Sequence, residues 1–173
     1  MVKLTANEYF KALIEFYKYN FDLEKDKSVL EERYDLYAES RVENEQYFAT
    51  RSIKIWSYNN YEYCLVKKSN KIDDKIFKRN FFKKLTSELV DPHRGHKQSY
   101  ITYVQILETT LPDRIISKIK GFNYSRSFWF GFRGWCDARL IFVDLSQKEV
   151  YTSHKANEVR KYYLPQNVVK KDY

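Results

Sequence analysis

The fold is decided by one stretch of the chain, Ser127-Phe-Trp-Phe-Gly-Phe-Arg-Gly-Trp-Cys-Asp-Ala-Arg-Leu-Ile-Phe-Val-Asp-Leu145. A two-residue turn at Arg133-Gly134 would fold this stretch into a β-hairpin, since glycine tolerates the positive φ that such turns need. Asp137 and Arg139 would then share one face, because side chains alternate along a strand. The predicted cross-strand pairs are Phe132 with Trp135, Gly131 with Cys136, Phe130 with Asp137, and Phe128 with Arg139.

The Asp137 and Arg139 pair is the sharpest polar feature of this hairpin. Arg139 would bind a phosphate or a carboxylate, Asp137 would orient it, and Trp135 would stack on a planar ligand. The alternative is a buried ion pair that only fixes the strand register, because a buried charge must be paired. If the two side chains are buried, we expect them to be structural and the function to lie on the basic surface.

Working outward, the patterns of apolar residues predict an α+β fold. A capping box at Thr5 and Glu8 starts a helix that ends near Asn20, and the charged residues 22–32 are expected to form a loop or a short turn. We expect one layered domain over residues 1–173, with a mostly antiparallel mixed sheet of six to seven strands and three to four helices. The predicted strands are 34–43, 47–57, 61–68, 99–107, the two hairpin strands and 148–152, and the predicted helices are 73–89, 112–121 and 155–163, before an irregular tail from about 164.

Two further features favour the binding of nucleic acid. A turn at Asn59-Asn60 would pair Trp56 with Tyr63 on an aromatic outer face of the sheet, where rings could stack on bases. The helix predicted at 73–89 would present a continuous basic face made of Lys71, Lys75, Lys78, Arg79 and Lys83. The opposite possibility is that helices cover the aromatic face and that the cations of the basic face are merely solvated.

The composition limits the class of protein and its partners. The net charge of +8 should attract polyanions such as nucleic acid or phosphorylated ligands. The first eight residues lack the apolar core of a signal peptide, and the run Leu140 to Val143 is too short to cross a bilayer, so we expect a cytoplasmic protein without a membrane partner. Cys64 and Cys136 lack zinc or redox spacing and are expected to be buried free thiols.

Few residues indicate catalysis or a cofactor. His93 and His96 have the spacing of a metal pair, yet a site needs a third ligand and none is adjacent, so we expect no metal. Neither a glycine-rich phosphate loop nor a G-x-S-x-G elbow is present, and no cofactor is expected. Enzymatic activity is therefore not predicted, although general acid and base residues need no proximity in sequence.

The order helix, three strands, helix, strand is similar to the core of the PD-(D/E)XK (restriction-endonuclease-like) nuclease fold. That resemblance implies a strand Asp and a Glu-x-Lys that hold a metal ion and activate water. Here Glu62 is followed by Tyr63 and Cys64, so the lysine of the motif is missing and only Lys54 could replace it. A degenerate metal-dependent nuclease or hydrolase is therefore an alternative function.

Several segments resemble an uncharacterised family of small clostridial proteins, a domain of unknown function. The family implies no activity, cofactor or catalytic residue. The segments are Tyr34-Asp-Leu-Tyr-Ala38, Asn44-Glu-Gln-Tyr-Phe48, Asn60-Tyr-Glu-Tyr-Cys64, Asp91-Pro-His93 and the stretch 127–145.

The sequence thus leads to one functional expectation with two alternatives. We expect a non-enzymatic binding domain for a polyanion, nucleic acid or a nucleotide, that uses the basic helix and the sheet aromatics. The alternatives are the degenerate nuclease and a protein-interaction or inhibitory module with a protein partner.

Overall fold

The structure is a computed structural model that describes residues 4–41 and 60–169. Those residues form a seven-stranded mixed sheet with helices on both faces. Three short 3₁₀ turns lie at Asp74–Phe77, Trp129–Gly131 and His154–Ala156. In chain order the elements are α1 (Ala6–Tyr17), β1 (Asp22–Val29), β2 (Glu32–Arg41), β3 (Asn60–Lys68), α2 (Arg79–Leu89), β4 (Gln98–Leu107), α3 (Asp113–Gly121), β5 (Ser125–Ser127), β6 (Trp135–Asp144), β7 (Glu149–Thr152), α4 (Arg160–Tyr163) and α5 (Pro165–Val168).

The strand order is β1-β2-β3-β4-β6-β5, and β7 also pairs with β6. The pairs β3 with β4 and β4 with β6 are parallel, and the other pairs are antiparallel. The predicted α+β class, the mixed sheet of six to seven strands and the core order α-β-β-β-α-β are confirmed. The described residues contain five α-helices rather than three to four.

Helices cover both faces of the sheet, as parallel strands require. On the first face, α1 packs through Tyr9, Leu13 and Tyr17 against Cys64, Val66 and Val104. On the second face, α2 and α3 pack through Phe82, Leu85, Ile115 and Ile119 against Tyr63, Leu65 and Tyr103. We call these the α1 face and the α2 face. No helix in the described part of the chain is both long and apolar enough to cross a membrane.

The first helix forms where its capping box predicts. Thr5 Oγ1 accepts a hydrogen bond from the backbone N–H of Glu8 at 3.2 Å, and Glu8 Oε2 accepts one from the backbone N–H of Thr5 at 2.8 Å. These contacts satisfy two N–H groups that the first turn leaves without helical partners. Burial of Tyr9, Leu13 and Tyr17 then fixes the helix on the sheet.

The prediction of a loop at residues 22–32 is wrong, because β1 occupies most of it. Within Asp22–Val29 only Val29 is buried, and among the described strands β1 pairs with β2 alone. Charged side chains are common on such edge strands because they discourage pairing with other molecules. The charge that suggested a loop therefore marks the edge of the sheet.

The strands predicted at 34–43 and 61–68 are direct neighbours in the sheet. The strand predicted at 34–43 corresponds to β2, and it pairs directly with β3 through Leu36 opposite Val66 and Ala38 opposite Cys64. The strand predicted at 47–57, with Trp56 and Lys54, lies outside the described residues.

Two predicted helices are interrupted. The helix expected over 73–89 divides at Lys78, whose φ of −90° and ψ of 129° are extended, into a 3₁₀ turn and α2. The helix expected over 155–163 divides into a 3₁₀ turn and α4, and α5 lies in the tail predicted to be irregular. Pro165 begins α5, in agreement with the preference of proline for the first helical turn.

The predicted hairpin register is wrong because its turn is longer than two residues. Trp135 lies opposite Ser127, Cys136 opposite Arg126, and Asp137 opposite Ser125. Phe128 to Gly134 form the connection around the 3₁₀ turn, and the backbone N–H of Phe128 donates to the carbonyl oxygen of Gly134 at 2.9 Å. The aromatic residues that were assigned to a strand therefore lie in a loop.

Candidate functional site

Arg139 and Asp137 share the α1 face as predicted, but they do not pair with each other. The side chain of Arg139 is only 3% exposed, and its Nη1 lies 3.4 Å from Glu62 Oε2 on β3. Its Nη2 binds Glu158, and its Nε donates to the carbonyl oxygen of Lys155 at 3.0 Å. Arg139 thus joins the central sheet to the segment that follows β7.

Asp137 has partners of its own. Its Oδ2 accepts hydrogen bonds from Lys155 Nζ and Gln98 Nε2, both at 3.2 Å.

The guanidinium carbon of Arg139 lies 3.5 Å from the centre of the Tyr100 ring, so a cation–π contact covers the remaining side of the arginine. Asp137 and Arg139 are each 2% exposed, so the condition for a structural role is met.

Burial dominates the electrostatics of this cluster, and the internal pairing does not fully offset it. Burial raises the pKa of Glu62 above its ordinary value, although Arg139 and a 2.7 Å hydrogen bond from Thr102 act in the opposite direction. Burial also raises the pKa of Cys64 far above the usual value for a thiol. Neither group has the environment of an exposed nucleophile or base.

The lysine position of the nuclease motif holds a different kind of side chain. Glu62 and Cys64 point to the α1 face, and Ser40 of β2 lies opposite Glu62. The place of the motif lysine thus holds a buried thiol, whose Sγ lies 3.7 Å from Glu62 Oε1. Within residues 4–41 and 60–169, no group of three or more His, Cys, Asp or Glu side chains could hold a metal ion.

His93 and His96 hold loops in place. His96 is 3% exposed, its Nδ1 lies 2.6 Å from the carbonyl oxygen of Arg133, and its Nε2 lies 2.7 Å from Ser99 Oγ. His93 Nε2 lies 3.0 Å from the hydroxyl of Tyr61. His96 therefore connects the loop before β6 to the start of β4.

The predicted basic face is not continuous, because its members lie in different elements. Lys75 binds Glu32 and Asp73, so its charge is largely neutralised. Lys71 is exposed in the segment before the 3₁₀ turn, and Lys78 is exposed at the break. Arg79 and Lys83 are exposed on α2 itself.

The predicted aromatic sheet face is not open. Tyr63 is 3% exposed beneath α2 and α3, and burial raises its pKa to about 12. Trp56 lies outside the described residues. An aromatic surface is instead formed by the loop from Phe128 to Gly134 and the residue that follows it, which we call the aromatic loop (Phe128–Trp135). Its exposed fractions are 67% for Trp129, 100% for Phe130, 90% for Phe132 and 44% for Trp135.

The aromatic loop has an unusual backbone. Trp129 and Phe130 have φ values of 50° and 56°, in the left-handed region that non-glycine residues seldom adopt. Gly134 has a φ of 72°, and a Cβ atom there would lie 1.9 Å from the carbonyl oxygen of Lys97. Such conformations persist only where the surrounding structure enforces them, and they concentrate at functional sites.

Four cations lie on α2, on β5 or in the aromatic loop, and we call Arg79, Lys83, Arg126 and Arg133 the basic rim. Arg79 Nη2 donates to the carbonyl oxygen of Ser125 at 3.2 Å, and Arg126 Nη1 donates to Ser87 Oγ at 3.0 Å. These contacts place β5 beside α2. The guanidinium carbon of Arg133 lies 4.6 Å from the centre of the Trp129 ring.

A cleft of about 380 Å³ lies beside Arg126 and the start of the aromatic loop. Its lining combines apolar and aromatic residues with residues that carry a hydroxyl or a guanidinium group, which suits a planar ligand that carries negative charge. The cleft is lined by Thr86, Ser87, Val90, Pro92, Arg126, Ser127, Phe128 and Trp129.

The sequence identified Trp135, Arg79 and Lys83 of this surface but missed Trp129, Arg126 and Arg133 as binding residues. Arg133 was assigned to the turn, and Trp129 to a strand. One signal was available, because five aromatic residues and two glycines within nine positions, 127–135, exceed what an alternating strand of a covered sheet can bury.

Comparisons with known proteins place the chain in a family but give it no activity. Neither the curated proteins nor the solved structures contain a match to it. A family profile described as a domain of unknown function, DUF8052, matches residues 5–165. The chain therefore belongs to the DUF8052 family.

Proposed function

We propose that this protein is a non-enzymatic binding domain for nucleic acid or a nucleotide, and that its binding surface is the aromatic loop together with the basic rim. The observation that carries the proposal is the contact of Arg126 with both Ser87 and Phe128, which line the same cleft. Its Nη1 binds Ser87 on α2, and its guanidinium carbon lies 5.4 Å from the centre of the Phe128 ring.

Two forces favour binding at this surface. Cations that neutralise phosphates release condensed counterions, which makes binding favourable and sensitive to salt. Exposed aromatic rings stack on bases and contribute about 1–3 kcal/mol for each base. The net charge of +8 adds long-range attraction for a polyanion.

Fluorescence anisotropy with labelled single-stranded and double-stranded DNA and RNA tests the proposal. If the four cations of the basic rim contact phosphates, the logarithm of the association constant for single strands should fall against the logarithm of salt concentration with a slope of about −3. Absence of salt-sensitive binding to every one of these polymers and to nucleotides would reject the proposal.

The two alternative functions have separate tests. A protein-interaction module would co-purify with a partner through the aromatic loop and ignore nucleic acid. A degenerate nuclease would need Glu62, whose carboxylate is already engaged by Arg139 and Thr102, and would lose metal-dependent nicking in Glu62→Gln. A clostridial source and a cytoplasmic location remain predictions that accompany the proposed function.

A further inference from the structure

We infer that the ligand is a single-stranded nucleic acid and that one unpaired base enters the cleft between Arg126 and Trp129. This inference rests on the proposed function and narrows it to one class of ligand. It arises from the shape of the cleft, the rigidity of the aromatic loop and the exposure of its rings.

The lining of the cleft combines two kinds of chemistry. The rings of Phe128 and Trp129 form part of its wall, and they suit the face of a base. Ser127 lines the same cleft, and its hydroxyl can bind the polar edge of that base. The hydroxyl of Ser87 already donates to the carbonyl oxygen of Lys83 at 3.1 Å and accepts from Arg126, so it can only accept a further hydrogen bond. Arg126 keeps N–H groups beyond the one bound to Ser87, so its guanidinium can also bind a phosphate.

The aromatic loop is organised before any ligand arrives. The backbone N–H groups of Gly131 and Arg133 donate to the carbonyl oxygen of Phe128 at 2.9 and 3.2 Å. His96 holds the carbonyl oxygen of Arg133, and close packing of Gly134 on Lys97 fixes the end of the loop. A loop held in this way loses little conformational entropy when it binds.

The exposed rings favour unpaired bases over a duplex. Bases in a duplex already stack on one another and cannot stack on a side chain without leaving the helix. Phe130 is fully exposed and Phe132 is 90% exposed, so both project where splayed bases of a single strand could reach them. A lipid bilayer would also accept these rings, but it would make no use of the hydroxyl-lined cleft.

The decisive comparison is between an oligonucleotide and an abasic strand of the same length and charge. We expect a thymidine oligonucleotide of roughly 12 nucleotides to bind at least about 10-fold more tightly than its abasic counterpart, and more tightly than a duplex of that length. Phe130→Ala should weaken binding of the thymidine strand by at least about 5-fold and leave the abasic strand unaffected. Phe130 makes no buried contact, so this variant should fold normally.

Tyr19→Ala is the matched control, because Tyr19 is an exposed aromatic residue, 76% exposed, outside the aromatic loop. It should leave both affinities unchanged. Equal affinity for the thymidine and abasic strands would overturn this inference while leaving polyanion binding intact. Failure of both strands to bind would overturn the proposed function as well. Binding to vesicles of anionic phospholipid that is lost in Phe130→Ala, without discrimination between the two strands, would assign the loop to a bilayer and overturn the inference.

Discussion

Arg126 Nη1 lies 3.0 Å from Ser87 Oγ, and this hydrogen bond joins the short strand β5 to the outer face of α2. It brings a cation of the sheet edge beside the cations of the helix. The same arginine lies against Phe128, so the contact also connects the basic rim to the aromatic loop. This relationship makes a single surface from segments that are far apart in sequence.

Substitution of Arg126 should affect binding through its charge. We expect Arg126→Gln to weaken binding of a single-stranded oligonucleotide and to reduce the salt slope by about 0.7, the share of one phosphate contact. Lys71→Gln removes the same charge from an exposed position outside the basic rim and serves as the control. Anisotropy titrations at several salt concentrations measure both slopes. Equal effects of the two substitutions would show that only net charge matters.

Gly134 should be intolerant of any side chain. Gly134→Ala places a Cβ against the carbonyl of Lys97 in a left-handed backbone, so we expect a loss of about 2–4 kcal/mol in the free energy of unfolding. Gly95→Ala is the control, since its φ is 100° but its Cβ would meet open space. That variant should lose only about 1–2 kcal/mol. Chemical denaturation measures the free energy of unfolding of both variants. Similar losses would argue against the close contact with Lys97.

Removal of Arg139 should leave Glu62 as an unpaired buried carboxylate. We expect Arg139→Met to lose about 3–5 kcal/mol in the free energy of unfolding, and Glu62→Gln in the same chain to restore part of it. Because Arg139 lowers the pKa of Glu62, its loss raises that pKa further above the unfolded value. The carboxyl then binds a proton more strongly in the folded state, so stability decreases as pH rises from about 4.3. Urea denaturation should therefore find a larger loss at pH 8 than at pH 5, and a loss independent of pH would contradict this pairing.

The buried tyrosines should make the fold sensitive to alkali. Burial raises the pKa of Tyr9, Tyr17 and Tyr163 far above the ordinary value. The unfolded chain loses these protons near pH 10 and the folded chain does not, so their contribution is complete below that pH and decreases above it by about 1.4 kcal/mol per pH unit for each. Part of the rise in tyrosinate absorbance should therefore occur in one cooperative step, together with the change in circular dichroism. Ionisation of all 16 tyrosines with retention of native circular dichroism would contradict it.

Local signals in the sequence predicted much of the fold. The capping box at Thr5 and Glu8 satisfies its own helix end, and the apolar residues of β4 and β6 have few alternatives to burial in a sheet. These features depend on neighbours in the chain. The α-β-β-β-α-β order is confirmed, although its first strand, β1, was missed because its charges are those of an edge strand.

The candidate site is formed by contacts between residues that are distant in sequence, and no local sequence pattern indicates such contacts. Arg126 meets Ser87 across 39 positions of sequence, and Arg139 meets Glu62 across 77. The length of the loop after β5 depends on His96 and Lys97, which hold Arg133 and Gly134. A two-residue turn at Arg133-Gly134 agreed with the local preference of glycine for turns, but tertiary contacts favour a longer connection. The aromatic residues therefore moved from a covered strand to an exposed loop.

The most direct test of the binding surface follows the indole N–H signals of Trp129 and Trp135 by ¹⁵N–¹H NMR, assigned with Trp129→Phe and Trp135→Phe, during titration with a single-stranded oligonucleotide. The account predicts that both signals shift and reach saturation together with the backbone signals of Arg126 and Ser87. Signals of Trp129 and Trp135 that stay in place while the oligonucleotide binds would contradict it.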